Sequence, residues 1–163
     1  MLRERGWLSG EGAAAEAQPE LQAWLADAAA LLGPHAADRE ALGELLRLVF
    51  EYDARAILAQ PESQTVLARE GGREILRLLA HLVLDSGEFD SDRFKAVVGA
   101  LKEKLRFRGL RFFTPIRLAL AGRTGGGELD RVILLLDGAA GPTFRVPVKG
   151  SRQRMLEFCA TME

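Results

Sequence analysis

Apolar residues return every three or four positions along most of this chain, and glycine or proline interrupts them at short intervals. The spacing places apolar side chains on one face of an α-helix, and the interruptions limit each helix to a few turns. Such helices bury their apolar faces against one another, so the pattern predicts an all-α protein. The predicted helices lie at about 20–32, 38–50, 53–58, 61–69, 73–84, 90–105, 115–121, 128–136 and 151–160.

Several residues predict where individual helices begin or end. Asp38 and either Asp90 or Ser91 are expected N-caps, because short polar side chains accept hydrogen bonds from the first free amides of a helix. Gly109 is expected just past the end of the helix that begins near residue 90. Pro115 is expected in the first turn of the next helix, where its missing N–H leaves no hydrogen bond unmade.

The last part of the chain follows a different pattern. Residues 143–148 alternate as in a strand, residues 149–150 read as a turn, and Ser151 is expected to cap a final helix. The chain is therefore predicted to contain two small helical-bundle subdomains and a short strand-turn-helix tail. The predicted boundaries are a lead-in at 1–19, a first subdomain at 20–60, a second at 61–138 and a tail unit at 139–163.

Charge is distributed very unevenly, although the net charge of the chain is only −1. Residues 1–92 carry 8 basic and 17 acidic side chains, whereas residues 93–123 carry 9 basic and 1 acidic. A helix dipole favours cations in its last turn and accounts for two or three of these basic residues. The remaining excess predicts a face that binds a polyanion.

Catalytic and metal-binding constellations are not found in the sequence. The single Cys159 excludes an intramolecular disulfide and a cysteine-rich zinc site, and His35 and His81 have no evident ligand partner. No acid–base pair or nucleophile set is recognisable, so an enzyme in its own right is the least favoured interpretation. We expect no cofactor, no membrane span and a reducing cytoplasmic setting.

The basic region also contains a pattern that is seldom met elsewhere: a basic glycine turn, an apolar pair, and then Pro-x-Arg-x-Ala-Leu-x-Gly. It resembles the C-terminal anticodon-binding region of bacterial-type glutamyl-tRNA synthetases, class I enzymes. The sequence departs from that family at Ala121, where threonine is usual, and at Gly127, where proline is usual. The segments that carry the resemblance are 48–53, 106–109, 112–122 and 126–129.

The resemblance implies a module that binds the anticodon arm of tRNA, with glutamate tRNA as partner and aminoacylation as purpose. It implies that Arg117, Gly126, Gly127 and Leu129 lie against anticodon bases. Unstacked loop bases are recognised through their edges by arginine and backbone groups, whereas phosphate contacts position the RNA without reading it. The full predicted RNA-binding set is Lys102, Lys104, Arg106, Arg108, Arg111, Arg117, Arg123, Gly126, Gly127 and Leu129.

The catalytic half of that family is not recognisable in the sequence, so this chain alone is not expected to activate glutamate. It is either a fragment of a synthetase, with the catalytic half as a partner, or a free-standing homologue. The alternative function is a protein-interaction or regulatory module of a full synthetase. Neither DNA nor a membrane is an expected partner. Which anticodon bases are read, and whether glutamine tRNA is accepted, stay open at this stage.

Overall fold

The computed structural model describes residues 1–8, 18–126, 128–142 and 144–163. These residues form nine α-helices, a 3-10 turn at Gly33–His35 and no strand, which confirms the predicted all-α class. The helices are α1 (Pro19–Leu32), α2 (Arg39–Phe50), α3 (Ala54–Leu58), α4 (Pro61–Ala68), α5 (Gly72–Asp85), α6 (Ser91–Lys104), α7 (Leu110–Ala121), α8 (Leu129–Gly138) and α9 (Ser151–Met162). None of these helices has the length and apolar character needed to cross a membrane.

Every predicted helix except α7 begins and ends within two residues of its observed bounds. Local capping explains this agreement. Asp38 accepts a hydrogen bond from the Ala41 amide at 2.8 Å, and Asp90, not Ser91, accepts one from the Arg93 amide at 2.7 Å. Each cap satisfies a free amide of the first turn, which stabilises a helix by about 1 kcal/mol.

The sequence predicted that Gly109 lies just past the end of the preceding helix, and this prediction is wrong. Helix α6 stops at Lys104, and an extended linker follows before Gly109, which has a φ of 63° and directly precedes α7. Glycine is favoured there because L-residues rarely adopt positive φ. The glycine therefore marks the beginning of α7.

Pro115 does not begin α7 but lies inside it, which corrects the second prediction for this region. An internal proline removes one helix hydrogen bond and costs roughly 3 kcal/mol. The neighbouring Phe112 and Ile116 are fully buried, and burying two large apolar side chains contributes a comparable or larger free energy. Packing therefore extends the helix in both directions through a residue that normally interrupts one.

The predicted strand in the tail is also wrong. Over the described residues the tail pairs with other backbone only at an isolated antiparallel bridge between Leu8 and Phe144. A hydrogen bond of 2.9 Å from the Arg145 amide to the Trp7 carbonyl accompanies that bridge. A single pair of residues is too short to make a sheet, and Phe144 instead enters an aromatic cluster. Thr143 lies outside the described residues.

The helices belong to two compact units, each assembled from two separate segments of chain. The first unit comprises Met1–Tyr52 and Gly126–Gly150, and the second comprises Asp53–Gly125 and Ser151–Glu163. These units differ from the predicted consecutive subdomains because α8 packs with α1 and α9 packs with α5, over long distances in sequence. Sequence periodicity predicts helices but carries no information about such pairings.

An aromatic cluster forms the core of the first unit. Trp7 stacks on Phe50 with ring centroids 4.9 Å apart, and Phe144 meets the edges of Phe50 and Trp24. The buried Trp24 indole donates a hydrogen bond to the Leu135 carbonyl at 2.9 Å, which ties α1 to α8. Trp7 and Trp24 are core residues, with exposures of 2% and 4%.

Helix α5 is the centre of the second unit and packs against α7 and α9. Its inward residues Ile75, Leu79 and Val83 are completely inaccessible to solvent. Cys159 of α9 is buried beside this helix, and its thiol donates a hydrogen bond to the Leu76 carbonyl at 3.1 Å. Burial, with a smaller contribution from the charge of Glu163, raises the pKa of the Cys159 thiol to about 12, so it is an unreactive packing residue.

Candidate nucleic-acid interface

The seven cations predicted to contact RNA all belong to the second unit. They occupy three places: the last turn of α6, the linker 105–109, and α7 with the turn after it. The structure gives these cations very different surroundings. Some are occupied by protein groups, and others have no acidic neighbour.

The linker is fixed to the second unit by Phe107. This side chain is buried and its ring lies directly over Gly71, where an added Cβ would stand 2.4 Å from the ring carbons. Gly71 also has a φ of 86°. Only glycine meets both conditions, so the turn before α5 forms a seat for the ring. Phe107 thereby fixes the position of the two arginines on either side of it.

Arg108 is occupied by backbone carbonyls. Its guanidinium donates hydrogen bonds of 2.7 Å to the carbonyl oxygens of Lys102, Leu105 and Phe107. The carbonyls at the end of α6 have no partners within the helix, and a cation bound to them also complements the helix dipole. Arg108 therefore closes α6 and holds the linker. The sequence analysis had instead placed Arg108 among the residues that contact RNA.

Arg106 and Arg111 share one acidic partner. Arg106 forms an ion pair with Glu70 and lies over the Phe107 ring at 5.5 Å, and the Arg111 guanidinium lies 3.9 Å from the second Glu70 oxygen. All three charged side chains are more than half exposed. Exposed ion pairs stabilise a fold by about 0–1 kcal/mol, so both arginines can be released to a phosphate at small cost.

The two lysines in the last turn of α6 also differ from each other in their surroundings. The Lys102 ammonium lies 5.9 Å and 5.0 Å from the ring centres of Phe112 and Phe113, and its side chain is half-buried. Lys104 is exposed in the last turn of α6. Lys102 is thus partly engaged with the aromatic start of α7, whereas Lys104 is free to meet an anion.

Arg117 and Arg123 form the most unusual feature of the surface. Both are half-buried, and neither side chain forms an ion pair with any described residue. The Arg117 Nε is buried without a hydrogen-bond partner in the described part of the chain. Burial, and then the positive charge of Arg117, lower the pKa of Arg123. Two like charges in a partly desolvated place are costly unless an anion joins them.

The glycine-rich turn after α7 is described in part. Gly122 ends α7 with a φ of 75°, as its predicted stop position requires, and Gly126 has a φ of 114°. A Cβ added at Gly125 would meet no atom within 4 Å, so the backbone there is open to approach. Gly127 lies outside the described residues.

Leu129, the last predicted contact, is the first residue of α8 and has a buried side chain, 7% exposed. Its packing leaves only backbone groups for a ligand. Gly126 and Leu129 belong to the first unit, whereas Arg117 and Arg123 belong to the second.

Two further arginines, both in the tail, were not predicted. Arg154 of α9 is 1% exposed and donates a hydrogen bond of 3.1 Å to the Leu120 carbonyl at the end of α7. Arg152 is half-buried in the first turn of α9, and its Nε has no partner among the described residues. No local sequence pattern indicates them, because their proximity to α7 depends on how α9 packs.

The described part of this surface is rich in cations and could accommodate an anion. Within the described ranges, no group of three or more histidine, cysteine or acidic side chains could hold a metal ion. Of the seven predicted cations, Lys104, Arg117 and Arg123 have no acidic, carbonyl or aromatic partner among the described residues. A helical module with such a surface suits a folded, phosphate-rich ligand.

The chain belongs to the anticodon binding domain family, because the family model described as an anticodon binding domain matches residues 12–139. This match confirms the resemblance described from the sequence. The relatives that the chain resembles are glutamate–tRNA ligases. One from Bacillus licheniformis is 37% identical over 93 residues, which make up 57% of this chain and 19% of that ligase.

Two further relatives agree with this result. Glutamate–tRNA ligase 2 of Syntrophus aciditrophicus is 32% identical over 120 residues, 69% of this chain and 23% of the ligase. The glutamate–tRNA ligase of Bacillus subtilis is 31% identical over 93 residues, 57% of this chain and 19% of the ligase. The chain thus spans about a fifth of the length of the curated relatives it matches. No solved structure shows a significant match.

Proposed function

We propose that this chain binds the anticodon arm of tRNA, with glutamate tRNA as the partner, and that this binding serves aminoacylation. The observation that carries the proposal is the pair of half-buried arginines, Arg117 and Arg123, which have no acidic partner among the described residues. Family membership and the names of the relatives supply the class of ligand.

Some residues of the surface are suited to positioning the RNA, and others are suited to reading its bases. Lys104, Arg106 and Arg111 are exposed and suited to phosphate oxygens, which fix the register of an RNA but carry no sequence information. Arg117 is more enclosed, and its planar guanidinium can pair with two acceptors on a base edge. Arg117 is therefore the residue proposed to read an anticodon base, with the backbone of the glycine turn beside it in sequence.

The proposed role is binding without catalysis by this chain. Activation of glutamate would then be carried out by a catalytic half, either within a longer protein or as a separate partner, and the setting would be cytoplasmic. The chain resembles about a fifth of each ligase, a part that the family model describes as an anticodon binding domain. DNA is not proposed as a partner.

Binding of glutamate tRNA as a function of salt tests the proposal. If several phosphates are contacted, the logarithm of the affinity should fall linearly with the logarithm of salt concentration, by roughly 0.7 for each single-stranded phosphate contact. Unfractionated tRNA depleted of glutamate tRNA is the matched control. An absence of binding at low salt, or a flat salt dependence, would contradict the proposal and favour a module that binds a partner protein.

A further inference from the structure

A cleft in the second unit is not part of the predicted RNA-binding set. It has a volume of about 320 Å³ and lies between α4 and the beginning of α7, with Thr124 at one end. Its lining combines a carboxylate, a guanidinium, threonine hydroxyls and an exposed leucine. The residues that matter for its chemistry are Glu62, Arg69, Leu110, Thr114 and Thr124.

Glu62 gives the cleft a hydrogen-bond acceptor. One of its carboxylate oxygens accepts a hydrogen bond from the Thr124 hydroxyl, which fixes the side chain toward the turn after α7. The second oxygen has no partner among the described residues. An ionised carboxylate only accepts hydrogen bonds and repels phosphate. On a surface that binds RNA, it therefore contributes only by accepting from an N–H or O–H group of the ligand.

The other side chains complete a site for a flat, polar ring. The Arg69 guanidinium forms no ion pair with a described residue and supplies donors, and Thr114 adds a hydroxyl. Leu110 is 77% exposed, although large apolar side chains are normally buried. The exposed Leu110 adds to a lining that is more apolar than polar, and it gives the apolar face of a base a surface to pack against.

The cleft is adjacent to the unpartnered arginines. Thr114 and Arg117 are three residues apart on α7, and side chains at this spacing are neighbours on a helix surface. Thr124 directly follows Arg123 in the chain. An RNA bound by Arg117 and Arg123 would therefore have a neighbouring nucleotide within reach of the cleft.

We propose that this cleft takes one unpaired base that carries an exocyclic amine, and that Glu62 accepts a hydrogen bond from that amine. The inference rests on the proposed function, because it assigns a specificity-determining residue to the same RNA-binding surface. Cytosine, adenine and guanine each present an amine, whereas uracil presents a carbonyl oxygen in its place, which would face the Glu62 carboxylate without a proton between them.

The test uses stem-loop RNAs with the anticodon arm sequence of glutamate tRNA. In each RNA one unpaired amine is removed, by replacing cytosine with uracil, or adenine or guanine with hypoxanthine. For the wild-type protein, one such change is expected to weaken binding by about tenfold, which corresponds to about 1.4 kcal/mol. The other changes in the series should have smaller effects.

The variant Glu62→Gln separates base reading from a structural role. The amide oxygen can still accept from Thr124, while the amide nitrogen now presents donors to the cleft. The variant should lose the preference for the amine at that position, and should bind the carbonyl-bearing RNA as well as or better than the parent. Glu74→Gln is the matched control, because Glu74 is also an exposed first-turn acid in the same unit but does not line the cleft.

Two results would overturn the inference while leaving the proposed function intact. One is a wild-type protein that binds the parent RNA but all amine-free RNAs equally well. The other is a Glu62→Gln variant whose preferences match those of Glu74→Gln. Failure of the wild-type protein to bind the parent RNA at all would instead overturn the proposed function, and with it this inference, before any variant is compared.

Discussion

Residues 102–111 and residues 117–123 are both basic in the sequence, with five and two cations, but the fold gives their cations different partners. In residues 102–111, Arg108 is bonded to three backbone carbonyls, Arg106 and Arg111 share Glu70, and Lys102 lies over two aromatic rings. In residues 117–123, both arginines lack an acidic partner among the described residues. The denser cluster of charge is therefore the one that protein groups largely occupy.

A count of basic residues therefore overstates the charge that is available to a ligand. A cation that already has a partner must lose it before it binds a phosphate, and its net contribution is reduced accordingly. A desolvated cation without a partner gains its whole interaction when the ligand arrives. The strongest contribution to binding is therefore expected from two residues at the end of α7, although five cations precede them.

Removing charge from each region in turn is expected to give the largest effect. The double change Arg117→Gln and Arg123→Gln should weaken tRNA binding by roughly 3–5 kcal/mol, because each removes a charged hydrogen-bond donor worth about 1.5–3 kcal/mol. The matched double change Arg106→Gln and Arg111→Gln should cost less than about 2 kcal/mol, since Glu70 already offsets those charges. Both double variants are titrated with tRNA at one salt concentration. Equal losses of affinity would contradict the claim that the two pairs of arginines contribute unequally.

A change that keeps the charge tests whether Arg117 reads a base. Arg117→Lys preserves one positive charge but removes the planar pair of donors. Discrimination between tRNAs that differ only in the anticodon should fall by about 1–3 kcal/mol, the size of a good bidentate contact. Binding constants for a matched tRNA series measure it, and unfolding curves check the fold. An unchanged preference would make Arg117 a positioning or structural residue.

Arg108 should show its effect in stability and not in recognition. Arg108→Ala leaves one carbonyl of the last turn of α6 and two carbonyls of the linker without their shared donor, and the free energy of unfolding should fall by about 1–2 kcal/mol. Lys104→Ala, an exposed change in the same segment, should fall within about 0.5 kcal/mol of wild type. Urea unfolding gives both values. If Arg108→Ala is fully stable but loses one phosphate contact from the salt slope, the sequence-based role is the correct one.

The smallest expected effect is a gain in affinity for tRNA. Glu70→Gln removes the acid that Arg106 and Arg111 share, and should raise affinity for tRNA by up to about 1 kcal/mol with a steeper salt dependence. Glu74→Gln removes the same charge from an exposed position on α5 and serves as the control. If the two variants gain equally, the change reflects the overall charge of the surface and not the release of the two arginines.

Much of the fold was predictable because its signals are local. Asp38, Asp53 and Asp90 cap their helices through amides two or three residues ahead, so a short stretch of sequence contains the whole interaction. The basic surface was also predictable, since charge can be counted along the chain. Gly122 likewise ends α7 where its sequence position indicates, with the positive φ that glycine permits.

Other features depended on contacts between distant residues. Pro115 lies within α7 because buried neighbours on both sides extend the helix, and the tail forms no sheet because Phe144 joins an aromatic cluster. Arg154 reaches the Leu120 carbonyl across 34 residues of sequence. Local pattern cannot predict these outcomes, since each depends on which helices pack together.

The helical class, the ends of most helices and the segment that concentrates positive charge follow from periodicity, capping and composition, so local sequence is enough to predict them. Which cations are free depends on packing. Composition and charge alone do not distinguish Arg108 from Arg117. One is bonded to the carbonyls that end a helix, while the other is held half-buried beside a second arginine. The availability of a charge depends on its neighbours in space, and those are set by packing.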